Sequence, residues 1–223
     1  MPYLSIATTL VMLVTLGLSA QAWGAGNEHR QSTPGMFDYY SLTLLWSPSY
    51  CAEHEGGPGA CRGIRHMGFV LQSLAPMFET GLWPEYCTEQ TLSSLDRTTY
   101  ATLYPAMPLM ERDWAQHGTC TDLSPASFFQ LGKDLATALH IPPAFNSPDQ
   151  AFRATREDIT RAFIGANPDI GENELTVNCN DKYFSSIHIC YDKTGTNPAP
   201  CSARELAAAA KSCPASFTVR SVR

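Results

Sequence analysis

The chain contains eight cysteines, and all of them follow an apolar N-terminal run. An even number of cysteines in an exported chain favours complete pairing into disulfides, with metal binding as the alternative. The sequence has no C-x-x-C pair and no histidine-rich tract with the spacing of metal ligands. We therefore expect no structural metal, no cofactor, and a fold braced by disulfides among Cys51, Cys61, Cys87, Cys120, Cys179, Cys190, Cys201 and Cys213.

The N-terminal run from Leu4 to Leu18 is almost uncharged, and it is followed by Ala20-Gln21-Ala22, the small-x-small pattern that signal peptidase recognises. At about fifteen residues it is shorter than the ~20 that span a bilayer, so we expect cleavage after Ala22 in preference to membrane anchoring. The sequence predicts a signal peptide at residues 1–22, a flexible segment at 23–36, and a single domain at 37–223 that is secreted or periplasmic and makes no membrane contact.

The net charge is −6, from 15 Lys and Arg against 21 Asp and Glu, and no basic stripe runs along the chain. A protein that holds long nucleic acid through its phosphates needs clustered positive charge. If this chain binds RNA, a local cleft must hold it, and a nucleotide or a protein partner suits the acidic balance better than long RNA does. We expect the domain to be monomeric.

Alternation and turn signals predict an α+β domain. Ser-Pro pairs predict helix starts, because serine caps a helix and proline suits its first turn. The helix predicted at 109–117 ends before Gly118, a residue typical of helix C-termini, and Asp113, Gln116 and His117 share one of its faces. The other predicted elements are strands at 39–46, 67–72, 175–179 and 184–191, helices at 88–100, from Ser124-Pro125, from Ser147-Pro148 and from Thr155 to 167, and an Ala-rich turn at 206–211.

Three segments carry a family resemblance: WSPSYC at 46–51, FVLQSLAPMFETGLWPEYC at 69–87 and ERDWAQHGTC at 111–120. Together they resemble the ribonuclease T2 family, whose segments typically read F-x-I/L-H-G-L-W-P and H-E-W-x-K-H-G-T-C. Pro76 and Cys87 have the family's spacing, and the segments at 175–180 and 187–192 are also similar. The resemblance implies a ribonuclease T2-like fold with a central antiparallel sheet, flanking helices and four disulfides.

The cysteines that bracket the Gly-rich loop, Cys51 and Cys61, form a natural local pair. The resemblance implies this pair together with Cys87–Cys120, Cys179–Cys213 and Cys190–Cys201. The Cys87–Cys120 bond would clamp the second and third segments together. Its loss would cost on the order of 2–5 kcal/mol and would also misplace the cleft between them.

Members of the family cleave RNA by moving the 2′-hydroxyl onto the adjacent phosphorus, and the resemblance implies two histidines that exchange protons with the RNA. One of these positions is occupied by Gln72, whose amide has no titratable nitrogen near neutral pH. The other is His117, with the shorter Asp113 in the place of a glutamate. Gln116 stands where lysine is usual, and Arg112 stands where a further histidine is frequent, so positive charge is partly kept while one proton carrier is missing.

The base pocket implied by the resemblance is also altered, because Ala75 stands at the position of a stacking tryptophan and Ser73 at that of a glycine. A second register would use Gly81-Leu82-Trp83-Pro84 and place Thr80 at the histidine position. Thr80 is no proton carrier either, and that register leaves Cys87 only three residues after the proline, so we prefer the first.

The candidate catalytic residues are thus His117 and Asp113, and the candidate substrate contacts are Gln72, Arg112, Gln116 and Trp114. Trp114 has the alternative role of a core anchor. For His117 two interpretations stay open, a surviving catalytic or ligand-binding residue, and a helix-end residue hydrogen-bonded to Asp113. His188 could replace the missing proton carrier if it faced the cleft. Because strand alternation puts it on the side of the disulfide cysteine Cys190, we expect a structural role.

Our leading hypothesis is an exported T2-fold protein whose transphosphorylation is impaired or lost and which acts by binding RNA, a nucleotide or a protein. Removing a general acid or base costs ~10²–10⁴ in rate. The alternative is a slow endoribonuclease that forms a 2′,3′-cyclic phosphate with His117 and either a substitute base or a water held by Gln72. A third hypothesis is a secreted effector or inhibitor that presents the disulfide framework to a protein partner.

Overall fold

The computed structural model describes residue 1, residues 33–54, residue 61 and residues 67–222. The predicted signal peptide, apart from its first residue, and most of the predicted flexible segment lie outside the described residues. At the end of that segment the Gly35 N–H donates to the carbonyl of Cys120 at 2.9 Å. Within the ranges described, no helix combines the length and apolarity needed to span a membrane.

The described residues form six strands: β1 (Tyr39–Trp46), β2 (Phe69–Met77), β3 (Phe152–Ala154), β4 (Leu175–Asn180), β5 (Tyr183–Asp192) and β6 (Phe217–Val219). They build one sheet in the order β2-β1-β5-β6-β3, with β4 also paired to β5. The sheet is mostly antiparallel, as expected, and the exception is β6, which meets β5 in parallel through Tyr183 and Thr218.

Within the part of the chain that the structure describes, six α-helices accompany the sheet: α1 (Ser47–Glu53), α2 (Ser94–Tyr100), α3 (Met107–Gln116), α4 (Pro125–Ala138), α5 (Arg156–Ala166) and α6 (Ala203–Ser212). Two predicted helix starts are confirmed, since the Ser124 side chain caps α4 and Thr155 forms a capping box with Asp158 at α5. Single turns of 3-10 helix lie at Ala101–Leu103, Gly118–Cys120 and Pro143–Phe145.

One face of the sheet carries an aromatic core that includes side chains of α3, α4 and α5. Trp46 is fully buried at its centre, with the rings of Phe69, Phe145 and Phe184 at centroid distances of 5.0, 5.8 and 6.1 Å. The opposite face meets α6, through the side chain of Glu205. The open part of that second face is where the candidate site lies.

One local prediction is wrong. No helix begins at Ser147-Pro148, because Ser147 has a φ of 59°, whereas a capping residue needs extended backbone. The predicted end of α3 before Gly118 is confirmed, since α3 ends at Gln116, but Gly118 continues into a 3-10 turn. Its glycine is required by packing instead, since a Cβ atom there would lie 2.2 Å from the Trp114 ring.

Four disulfides join the elements with the pairing that the resemblance implies: Cys51–Cys61, Cys87–Cys120, Cys179–Cys213 and Cys190–Cys201. The Cys87–Cys120 bond ties the segment after β2 to the turn after α3. The Thr119 hydroxyl supports the same junction by accepting a hydrogen bond from the Cys87 N–H at 3.2 Å.

Candidate functional site

A β-bulge in β2 shapes the open face of the sheet. Thr43 of β1 pairs with Ser73 and the next residue, Leu44, pairs with Leu71, so Gln72 is the extra residue and has no partner in β1. Leu71 on one side remains in the core, while Gln72 and Ser73 both line the same pocket. A bulge can re-aim a side chain in this way, and here it turns two consecutive residues towards the pocket.

Asp113 joins α3 to this part of β2. Its carboxylate is buried and accepts hydrogen bonds from the Ser73 hydroxyl at 2.7 Å, from the Leu74 N–H at 3.3 Å and from the Tyr104 hydroxyl. Burial raises the pKa of Asp113 to about 6, although these hydrogen bonds and the charge of Arg112 act in the opposite direction. Asp113 therefore holds β2 against α3. Its carboxylate becomes protonated at mildly acidic pH.

His117 lies at the C-terminal end of α3, beside Gln72 and Ser73. Among the described residues none hydrogen-bonds its buried Nδ1 atom, so the side-chain bond to Asp113 that one of the two open interpretations required is absent, and only the backbone N–H of His117 reaches the Asp113 carbonyl, at 2.9 Å. Burial and the positive charge of Arg112 lower the pKa of His117 to about 4. Near neutral pH the ring is therefore uncharged.

The pocket has a volume of about 350 Å³ and opens on the face of the sheet opposite the aromatic core. A smaller hollow of about 100 Å³ adjoins it and shares Gln72, Ser73 and His117. The larger pocket is lined by Ser41, Thr43, Gln72, Ser73, Ala75, Met77, Gly81, Trp83, His117, His188, Arg204, Glu205 and Ala208. We refer to the two together as the Gln72–His117 cleft.

Of the other candidate site residues, Arg112 and Gln116 line the smaller hollow, and the Gln116 amide donates to Glu85 at 3.0 Å. The assignment of Trp114 as a substrate contact is wrong. Its ring is 1% exposed, packs edge-on against Phe128 and donates from Nε1 to the Gln90 carbonyl at 2.8 Å, so it belongs to the core. Ala75 and Met77 line the pocket wall together with Trp83, whereas Thr80 is exposed and does not line the cleft.

His188 corrects the interpretation based on strand alternation. It does point to the same side of β5 as Cys190, but that side is the cleft face, and His188 lines the pocket together with His117. Its Nδ1 atom lies 3.1 Å from Glu205 Oε1. Glu205 was not a candidate in the sequence, because only the packing of α6 brings it to the sheet. The one available signal is the alternation of Ser41 and Thr43 with leucines in β1, which indicates a second face that differs from the core.

The Glu205 carboxylate contacts three polar side chains at the rim of the pocket. Besides His188 it accepts from the Ser41 hydroxyl at 2.8 Å and from the Tyr39 hydroxyl at 2.9 Å. Burial acts to raise its pKa, but these hydrogen bonds and the charge of His188 outweigh burial, and the pKa of Glu205 is lowered. Glu205 also lies close to Cys190 and Cys201, the single group of possible metal ligands among the described residues, and both of those sulfurs belong to a disulfide.

Comparison with known proteins agrees with this architecture. The sequence profile of the Ribonuclease T2 family matches residues 37–201. A ribonuclease of Aeromonas hydrophila is 30% identical over 220 residues, which cover 95% of this chain and 99% of that protein. A variant of ribonuclease MC1, from bitter gourd seeds, in complex with 5′-UMP has a TM-score of 0.64 at 19% identity, over 81% of this chain and 97% of its own.

A ribonuclease-related protein from Calystegia sepium shares the fold with a TM-score of 0.65 at 20% identity, over 81% of this chain and 96% of its own. At these identities the solved structures show the fold alone. The profile match and the full-length relative go further. They show that the chain belongs to the ribonuclease T2 family.

Proposed function

We propose that this protein binds single-stranded RNA or a nucleotide in the Gln72–His117 cleft, and that the transphosphorylation of its family is impaired there. The observation that carries the proposal is the place of Gln72, at a bulge that turns it into the cleft beside His117. An amide can hydrogen-bond to a phosphate oxygen, but it neither accepts nor donates a proton at physiological pH.

The size and charge of the cleft suit a nucleotide. A volume of about 350 Å³ falls within the range of small-molecule sites. Arg204 lines the larger pocket and Arg112 the smaller hollow, so each part offers a guanidinium group that can bind a phosphate. The related ribonuclease MC1 variant in complex with 5′-UMP supports the same ligand class.

We also propose that the protein works outside the reducing cytoplasm, as a monomer. Four disulfides are typical of proteins from oxidising compartments. A second candidate function, a slow endoribonuclease, is favoured by one observation: His188 gives the cleft a second titratable ring.

Calorimetric titration with 5′-UMP and with a short 2′-O-methyl RNA tests the proposal. Wild type should bind both probes. Gln72→Ala should weaken binding several-fold, because the amide that hydrogen-bonds to the phosphate is lost. Gln130→Ala is the matched control, since Gln130 is exposed on α4 and does not line the cleft. Wild-type protein that binds neither probe would contradict the proposal, and a selective protein partner captured at another surface would favour the effector hypothesis.

A further inference from the structure

The strand register places His188 opposite Gln72 across the floor of the cleft. Thr43 of β1 pairs with Ser73 on one side and with His188 on the other. Two strand spacings therefore separate the backbones of Ser73 and His188, roughly 10 Å. A phosphodiester bound over Thr43 would lie between the Gln72–His117 side of the cleft and the His188 ring.

The environment of His188 is that of an oriented ring that still reaches solvent. Its side chain is 26% exposed, whereas that of Glu205 is only 11% exposed. The Nδ1 atom faces Glu205, and among the described residues Nε2 has only a long contact of 3.4 Å, with the Ser186 hydroxyl. A carboxylate that holds one ring nitrogen fixes the tautomer and the direction of the ring and leaves the other nitrogen for proton exchange.

Glu205 is itself fixed by Ser41 and Tyr39, so it does not depend on His188 for its position. Its carboxylate can balance the charge of a protonated His188. Among the described residues, the titratable and charged groups around His188 are Glu205 and Arg204 from α6, Tyr39 from β1, and His117 across the same pocket.

We infer that His188, held by Glu205, is the second proton carrier of the Gln72–His117 cleft and acts on RNA bound there. The inference rests on the proposed binding of RNA in this cleft. Neither the resemblance nor the comparisons assign a role to His188. Glu205 is a positioning residue in this scheme, since it acts through the ring of His188.

The step that follows is balanced. The neutral ring of His117 takes the proton of the 2′-hydroxyl, and O2′ forms a bond to phosphorus. The bond from phosphorus to O5′ breaks, and protonated His188 gives the proton on Nε2 to O5′. The products are a 2′,3′-cyclic phosphate and a free 5′-hydroxyl, and exchange with water returns both rings to their starting states.

Steady-state cleavage of a fluorescent single-stranded RNA between about pH 4 and 8 tests this assignment, alongside binding of 5′-UMP. His188→Asn keeps an amide that can donate to Glu205 and removes the proton carrier. We expect kcat to fall by ~10²-fold or more, with 5′-UMP affinity within about two-fold of wild type.

Glu205→Gln tests the positioning role. It should lower kcat while the KM for the RNA stays near the wild-type value, because the ring loses the carboxylate that fixes its direction. His140→Asn is the matched control, since His140 is exposed and does not line the cleft, and it should cleave as wild type does. Thermal unfolding of each variant separates a folding defect from a loss of chemistry.

Two results would overturn the role of His188 while the proposed function stands. One is His188→Asn protein that cleaves RNA at the wild-type rate. The other is wild-type protein that binds 5′-UMP and yields no cyclic phosphate. If the wild type binds neither nucleotide nor RNA, the proposed function itself fails, and the calorimetric titration shows this before any rate is measured.

Discussion

The hydroxyl of Ser73 donates a 2.7 Å hydrogen bond to Oδ1 of Asp113, and this bond joins β2 to α3. Gln72 immediately precedes Ser73, and His117 lies one helical turn after Asp113, so the bond sets the two sides of the hollow relative to each other. A buried bond to an ionisable group contributes about 1.5–3 kcal/mol. Its loss should be visible in both stability and binding.

Ser73→Ala should therefore lower the free energy of unfolding by about 1.5–3 kcal/mol and weaken 5′-UMP binding, as measured by urea denaturation and calorimetry. Ser127→Ala is a suitable control, because among the residues described the Ser127 hydroxyl bonds only to Ser124, in an exposed position. That change should stay within about 0.5 kcal/mol of wild type. Equal effects of the two substitutions would show that the Ser73–Asp113 bond has no special weight.

The pH dependence of stability should reveal the buried Asp113. Its pKa is raised to about 6 in the folded protein, against about 3.9 in an unfolded chain. The folded state thus binds more protons between these values, and the contribution of Asp113 to stability, complete below about pH 4, is lost as pH rises through 6. As pH rises from 4 to 7, the free energy of unfolding of Asp113→Asn should increase by about 2–3 kcal/mol relative to that of wild type, as measured by urea denaturation.

The pKa of His117 is shifted in the opposite direction. Its contribution to stability should therefore depend on pH in the opposite sense to that of Asp113, which provides an internal comparison. The pKa of His117 is lowered to about 4 when folded, so the stability that it contributes above about pH 6.5 is lost as pH falls through 4. His117→Gln should therefore gain stability relative to wild type as pH falls. If both variants follow the wild-type pH curve in parallel, neither side chain is buried in the way described.

Restoring a histidine at position 72 should raise cleavage. Gln72→His places an imidazole at the bulge beside His117, and in the His188→Asn background, which lacks the second proton carrier, we expect a rate increase of ~10²-fold or more with a fluorescent RNA substrate. Thr80→His is the matched control, since the second register would put the missing histidine there while the structure leaves Thr80 outside the cleft. A gain in Thr80→His with none in Gln72→His would reverse the choice of register.

We expect the Cys87–Cys120 disulfide to stabilise the cleft, although neither cysteine lines it. Replacing both cysteines with serine should cost about 2–5 kcal/mol in the free energy of unfolding and should also weaken 5′-UMP binding. The same change at Cys51–Cys61, which closes a loop of 10 residues instead of 33, should cost less. It should leave binding unchanged, because the Cys51–Cys61 bond does not join the segments that carry Gln72 and His117.

Local sequence patterns predicted the elements whose signals lie within a few residues. The apolar run of β1 gave its bounds at Tyr39–Trp46, and Ser124 and Thr155 marked the starts of α4 and α5. The predicted helix at 88–100 is shorter in the structure, because Ser93 caps α2 and so delays its start to Ser94. A capping residue in the middle of a predicted helix was the missed signal.

The site itself was only half predictable. His117, Asp113 and Gln72 stand in motifs, but the pairing of His188 with Glu205 depends on where α6 packs, which no local pattern contains. The motif also misled in the case of Trp114. Its motif position suggested a substrate contact, but its large apolar ring is buried in the core. Contacts between distant segments are set by the whole fold, and alternation alone could not show which face of β5 was open.

The bulge in β2 leaves position 72 outside both the strand pairing with β1 and the hydrophobic core. Leu71 and Leu74 fill the core on one face, while Gln72 occupies a position without a partner in β1. Exchanges at position 72 therefore cost little in sheet pairing or core packing. A lineage can gain, lose or regain a proton carrier there while its scaffold stays intact, so relatives with the same fold need not share the same activity.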